Sequence, residues 1–148
     1  MTIDWTDPHC KVSDFFTVHE CLNLPTWNRM ATEADGLTEE VKANLIKLCT
    51  AMDKVRVFFN HSINVHCCFR PAKYNSEVGG APHSMHSLGS AMDFNVVSLE
   101  CKDAIAMMLK DNKLEEWGMR CENNGPAPTW IHLDLKIVPE GGHRYFIP

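Results

Sequence analysis

Ser84-Met85-His86-Ser87-Leu88-Gly89-Ser90-Ala91-Met92-Asp93, answered later by Trp130-Ile131-His132-Leu133-Asp134, are the two stretches around which the chain is organised. Imidazole nitrogen and carboxylate oxygen are zinc ligands. Three such protein ligands leave a fourth position for water, the arrangement of a catalytic rather than a closed structural site. His86, Asp93 and His132 are the candidate trio. Gly89 allows a tight turn between the first two, and the small Ser90 and Ala91 keep the path to Asp93 narrow, so both side chains can be aimed at one ion.

Ile131, Leu133 and Leu135 share one face of an alternating segment, with Trp130, His132, Asp134 and Lys136 on the other. This is the pattern of a half-buried strand that presents His132 to a cleft. Asp134 has two readings: it orients a ligand through a hydrogen bond, or it forms a surface salt bridge. Met92, Phe94 and Val96 alternate with Asp93, Asn95 and Val97, a second strand starting at Asp93. A third runs from Ile63 and ends at Arg70, because Pro71 lacks an amide donor and restricts the residue before it. The Arg70 fork suits a substrate carboxylate; the alternative is a solvated strand end. Residues 74–84 read as a loop forming one wall of the cleft, and Ser84 either hydrogen-bonds substrate or caps the backbone around His86.

Thr38 stands where an N-cap is wanted, with Glu39 and Glu40 in the first turn, and Val41, Leu45, Leu48, Met52, Val55 and Phe59 recur at steps of four and three. That is the strongest helix in the sequence, and it carries no convergent polar set. A second helix is expected from a Ser98 cap to about Asn112, and a short one starting near Ser13 and interrupted at Pro25. Residues 1–36 otherwise read as an irregular segment packed on a single domain spanning 1–148. On a strand Met119-Arg120-Cys121-Glu122, Arg120 and Glu122 share a face. The fold class expected is α+β: a small antiparallel sheet of the strands near Ile63, Asp93, Met119 and Trp130, with helices on one face and the zinc cleft on the other.

Cys68-Phe69-Arg70-Pro71, Asn75, Val78-Gly79-Gly80-Ala81-Pro82, the S-x-H-x-x-G-x-A-x-D run from Ser84 to Asp93 and the final W-x-H strand together resemble the M15 peptidases, from about Ile63 to the C-terminus and more loosely in the preceding helix. The resemblance implies a fold like that of the D-Ala-D-Ala peptidases and hedgehog, a zinc ion, and a peptidoglycan stem peptide as substrate. It implies a carboxypeptidase or endopeptidase of D,D- or L,D-type, or a phage endolysin, with Arg70 binding or orienting substrate. Many members carry a glutamate three residues before the last histidine; this chain has Thr129 there. Glu122 is the nearest replacement: if its strand lies beside the one bearing His132, its carboxylate serves as general base. The competing reading is a solvated carboxylate paired with Arg120, which belongs with a zinc-stabilised binding or virion structural protein that has lost turnover.

The 148 residues suffice for one domain with a real core, and a hydrophobic fraction of 45% with 22% charged residues is that of a globular protein. A net charge of −5 without a Lys/Arg cluster argues against a nucleic-acid partner. Seven cysteines without C-x-x-C spacing indicate neither a disulfide framework nor a zinc ribbon, but reduced thiols in a cytosol. The first residues lack a basic start and an apolar run, and no stretch is long enough for membrane insertion. The expectation is therefore a protein of the cytoplasm without a signal peptide, in host cytoplasm or virion if phage-encoded, with other lysis or virion proteins as partners.

Overall fold

The computed structural model describes residues 2–148. Its first helix, α1 (Val18–Leu22), begins later than the expected start near Ser13. The Asp53 carboxylate accepts from the Ser13 hydroxyl at 2.8 Å and from the Asp14 and Phe15 amides at 3.1 Å, which holds that stretch as a turn. Thr17 and Glu20 then close a reciprocal capping box. Pro25 follows, and the chain reverses from β1 (Asn23–Leu24) through left-handed Asn28 into antiparallel β2 (Arg29–Met30). Residues 2–36 are thus short helices, turns and a two-residue ladder, and they bury Val12, Phe16, Leu22 and Leu24 in the same core as the rest of the chain.

Helix α2 (Glu39–Phe59) follows the sequence reading closely. The Thr38 hydroxyl accepts from the Val41 amide at 3.2 Å, and all six stripe residues from Val41 to Phe59 are buried. Left-handed Asn60 ends it. Strand β3 (Ile63–Cys67) stops short of Arg70, because a bulge between Val65 and Cys67 turns the chain out of the ladder. The Phe69 amide then donates to the Cys21 carbonyl at 3.1 Å, and the Arg70 amide to the His86 carbonyl at 3.0 Å. Helix α3 (Ala72–Glu77) occupies part of the stretch expected as loop. Pro71 supplies a fixed φ ahead of its first turn, and buried Tyr74 packs edge-on against Trp27 at 5.2 Å.

Strand β4 (Ala91–Val96) begins before Asp93 and includes it. The expected helix from Ser98 to Asn112 is shorter, α4 (Cys101–Lys110), and Ser98 does not cap it. Ser98 instead takes a left-handed turn at φ 70°, and Asn112, also left-handed, separates α4 from α5 (Lys113–Trp117). Strands β5 (Arg120–Glu122), β6 (Ile131–Asp134) and β7 (Tyr145–Phe146) complete a sheet of order β3-β4-β6-β5-β7. The four strands expected from the sequence are antiparallel, as read; β7 adds a fifth, parallel to β5.

The architecture is α+β. Helices α2 and α4 pack on β4, and Met92 and Phe94 of β4, with Ile131 and Leu133 of β6, are fully buried. Because side chains alternate across a strand, that burial turns Asp93, His132 and their neighbours to the opposite face.

Candidate metal centre

His86 is placed by a one-turn 3-10 helix, Met85–Leu88, whose first amides are capped by Ser84: its hydroxyl accepts from the His86 amide at 3.2 Å. Gly89 ends the turn at φ 74°, and a Cβ there would stand 3.0 Å from both Cγ1 and the carbonyl oxygen of Val41. Glycine is required twice over, once for the left-handed backbone and once for contact with α2. Gly89→Ala is therefore expected to cost about 1–3 kcal/mol from the backbone alone, read as a lowered urea midpoint at unchanged slope.

The sheet register brings in the other residues. Asp93 on β4 pairs with His132 on the adjacent β6. On β5, Arg120 opposes Asp134 and Cys121 opposes Leu133, so Glu122 comes level with His132 one step further along. Asp93 Oδ1 lies 2.8 Å from His132 Nδ1 and 3.1 Å from His86 Nε2, and one donor atom of each of the three residues lies within 4.8 Å of the others. Both imidazoles are oriented from behind. His86 Nδ1 bonds the Cys68 carbonyl at 2.7 Å, and His132 Nε2 bonds Asp134 Oδ2 at 2.8 Å. With its proton directed at Cys68, the His86 ring turns a lone pair toward the cluster. That buried Nε2 has no hydrogen-bond partner: the nearby Asp93 oxygen is close but out of alignment. An unpartnered buried nitrogen facing a carboxylate oxygen, with a second imidazole beside it, is a donor set that a divalent cation satisfies.

The same contacts shift the titration of the cluster. Burial works against the charged His132 ring, but hydrogen bonds to Asp134 and Asp93 outweigh it and raise the imidazole to about 9. Burial likewise opposes ionisation of Asp93, yet its hydrogen bond with His132 and the His86 ring beside it hold it well below the usual carboxylate range. Without a cation, His132 is accordingly protonated at neutral pH. A metal ligand must offer a lone pair, so ion and proton compete for Nδ1. Binding at pH 7 is expected to release about one proton per ion and to strengthen as pH rises toward the His132 value. Calorimetry in buffers of different ionisation enthalpy measures this, and a binding heat independent of buffer contradicts it.

The cluster lies in a cleft of about 440 Å³ walled by Gly79–Met85 on one side and by Trp130, Lys136 and Phe146 among others on the other. Arg70 and Glu122 also line it. The Arg70 guanidinium reaches Ser84 Oγ at 3.4 Å, its buried Nε has no partner, and no carboxylate pairs with it among the described residues. Ser84 is thus both the cap foreseen in one reading and an acceptor for Arg70. Glu122 Oε2 lies 3.7 Å from His132 Nδ1, with a side chain only 21% exposed. It is not the partner of Arg120, which instead makes a two-pronged contact with Asp134 at 2.9 and 2.8 Å. Asp134 therefore combines the two roles the sequence left open, orienting His132 and pairing with a cation, although it is fully buried. Thr129 is exposed and lines no part of the cleft. The contributions of Arg120 and of the Cys68 carbonyl were missed in the sequence. The first was visible only as a residue sharing Glu122's face, and a backbone carbonyl leaves no sequence signal.

The α+β sheet thus carries, on the face turned away from its apolar side chains, a His–Asp–His cluster that could hold a metal ion, with a carboxylate beside it. The chain belongs to the peptidase M15 family: that family's model, described as Peptidase M15, matches residues 22–134. The match reaches further toward the N-terminus than the resemblance read from Ile63 onward, and it stops at the end of β6. No curated relative and no solved structure matches the chain. Membership indicates a metallopeptidase, and the buried cluster is suited to hold its metal. Among the described residues, no helix is long and apolar enough to cross a membrane.

Proposed function

We propose that the protein is a zinc peptidase that hydrolyses peptide bonds in peptidoglycan stem peptides, with His86, Asp93 and His132 as the ligands and Glu122 as the general base. The observation that carries this reading is the position of Glu122, at 3.7 Å from a candidate ligand nitrogen and inside the cleft. His86, Asp93 and His132 would hold the zinc, which when bound would supply Lewis acidity to water and to the scissile carbonyl. Glu122 takes the proton of the attacking water and passes it to the leaving amine; Thr129, without a carboxylate and outside the cleft, takes no part. Ser84 holds one side of the Arg70 guanidinium, leaving its remaining donors for substrate.

Arg70 is the cation assigned to the substrate. A guanidinium without a carboxylate partner beside the cluster matches the free or side-chain carboxylate of a stem peptide, and its fork fixes the orientation of what it holds. Arg70→Ala is expected to leave metal content unchanged and to lower kcat/KM by about 10–150-fold, the equivalent of one charged hydrogen-bonded pair. Unchanged kinetics on a carboxylate-bearing substrate reduce Arg70 to a structural partner of Ser84.

The function itself is tested with purified muropeptides and the zinc-loaded chain, with and without a chelator, and products identified by mass. Chelator-sensitive release of peptide fragments supports it. A fully loaded protein that cleaves no stem peptide overturns it and leaves a zinc-stabilised binding protein of the same fold.

A further inference from the structure

Strand β7 lies outside the stretch that matches the family, which ends at Asp134. It is nevertheless tied to the centre. Its pairing with β5 is parallel, Glu122 level with Phe146, and the Cys121 and Asn123 amides donate to the Arg144 and Phe146 carbonyls at 2.7 Å each. That register puts the Phe146 ring over the Arg120 guanidinium, with 3.7 Å from the guanidinium carbon to the ring centroid, and 6.2 Å from the His132 ring.

We infer that Phe146 and Arg120 form a clamp that positions the metal ligand His132 through Asp134, so that the C-terminal strand is part of the metal centre; the inference rests on the metal reading proposed above.

Arg120 holds both oxygens of Asp134, through Nε at 2.9 Å and Nη2 at 2.8 Å. One of those oxygens also accepts from His132 Nε2 at 2.8 Å, which fixes the ring plane and directs Nδ1 at Asp93. Without Arg120, Asp134 is a buried carboxylate restrained only by His132 and the Lys136 amide, and it can rotate. Phe146 restrains Arg120 in turn: a ring face against a guanidinium contributes attraction and covers one side of the planar group, so that its fork keeps a single orientation. An arginine that merely neutralised Asp134 would need neither the two-pronged geometry nor the ring. Outer partners of this type typically govern metal affinity by about 10–100-fold.

The experiment uses the full chain, stripped of metal and titrated with cobalt(II), whose visible absorption reports ligand geometry as well as occupancy. Arg120→Met and Phe146→Ala are compared with Arg120→Lys and Phe146→Trp, and circular dichroism confirms that each apoprotein is folded. The clamp predicts affinity about 10–100-fold weaker and an altered absorption band for Arg120→Met. It predicts a smaller loss in the same direction for Phe146→Ala, recovered by Phe146→Trp, which keeps the ring face. Arg120→Lys keeps the charge but not the fork, and should resemble Arg120→Met in its spectrum. Should Arg120→Met not fold, the Phe146 pair decides alone. Wild-type affinity and spectrum in folded Phe146→Ala overturn the clamp while leaving the metal reading intact; a wild-type chain that binds no cobalt overturns both.

Discussion

Asp93→Ala is expected to lose the metal, with affinity down by more than the roughly hundredfold that an outer partner can cost. Its Oδ1 is the oxygen common to both imidazoles, 2.8 Å from His132 and 3.1 Å from His86, so its removal leaves no anionic donor in the trio. Two histidines remain, and two neutral ligands without a charge are a poor site for zinc. The substitution also breaks a buried charged contact in the cation-free chain, a change that costs about 3–5 kcal/mol in comparable sites. Asp93→Asn separates the effects: it keeps shape and one acceptor oxygen, and should recover much of the stability with little of the affinity. Elemental analysis and denaturant titration of both variants give the answer. Stoichiometric zinc in Asp93→Ala would falsify the trio.

Glu122→Gln is the second large effect, and it should fall on turnover alone. The amide keeps size and polarity but accepts no proton, so zinc content and folding should match wild type while kcat drops by about 10²–10⁴-fold. The split between kcat and metal content matters, because Glu122 Oε2 lies near His132 Nδ1 and a ligand role predicts the other pattern. If zinc content falls with activity, Glu122 is a fourth ligand. If neither changes, it is a cleft wall and the base lies elsewhere. Thr129→Glu is a useful companion: its position is exposed and outside the cleft, so it should not rescue Glu122→Gln.

Much of the frame was legible in local pattern. The stripe of α2, its Thr38 cap and the alternation in β3, β4 and β6 are statements about neighbours along the chain, and all four elements form, with β3 ending earlier than Arg70 and β4 starting earlier than Asp93. Expectations failed where a distant partner intervened. The turn at Ser13–Phe15 is held by Asp53, forty residues away for the Ser13 contact, and no local propensity announces it. Helix α3 forms in a stretch rich in turn residues because Tyr74 finds Trp27 to pack against. Ser98 is a good capping residue, but its left-handed backbone serves the turn out of β4 and leaves Glu100 at the cap.

The ingredients of the site were legible in the sequence: two histidines and an aspartate, with Asp93 and His132 on segments whose periodicity turns them away from the apolar face, and Gly89 allowing a tight turn between His86 and Asp93. Residue chemistry and period are properties of the chain alone, so these could be read without coordinates. How the ingredients meet is set by strand pairing. The pairing of β4 with β6 puts Asp93 between the two histidines, and that of β5 with β6 brings Glu122 level with His132. The same register gives Arg120 to Asp134 instead of Glu122, and parallel β7 sets Phe146 over it. Strand order and register arise from burying one face of all five strands at once. That is a cooperative outcome to which every strand contributes and which no single segment encodes.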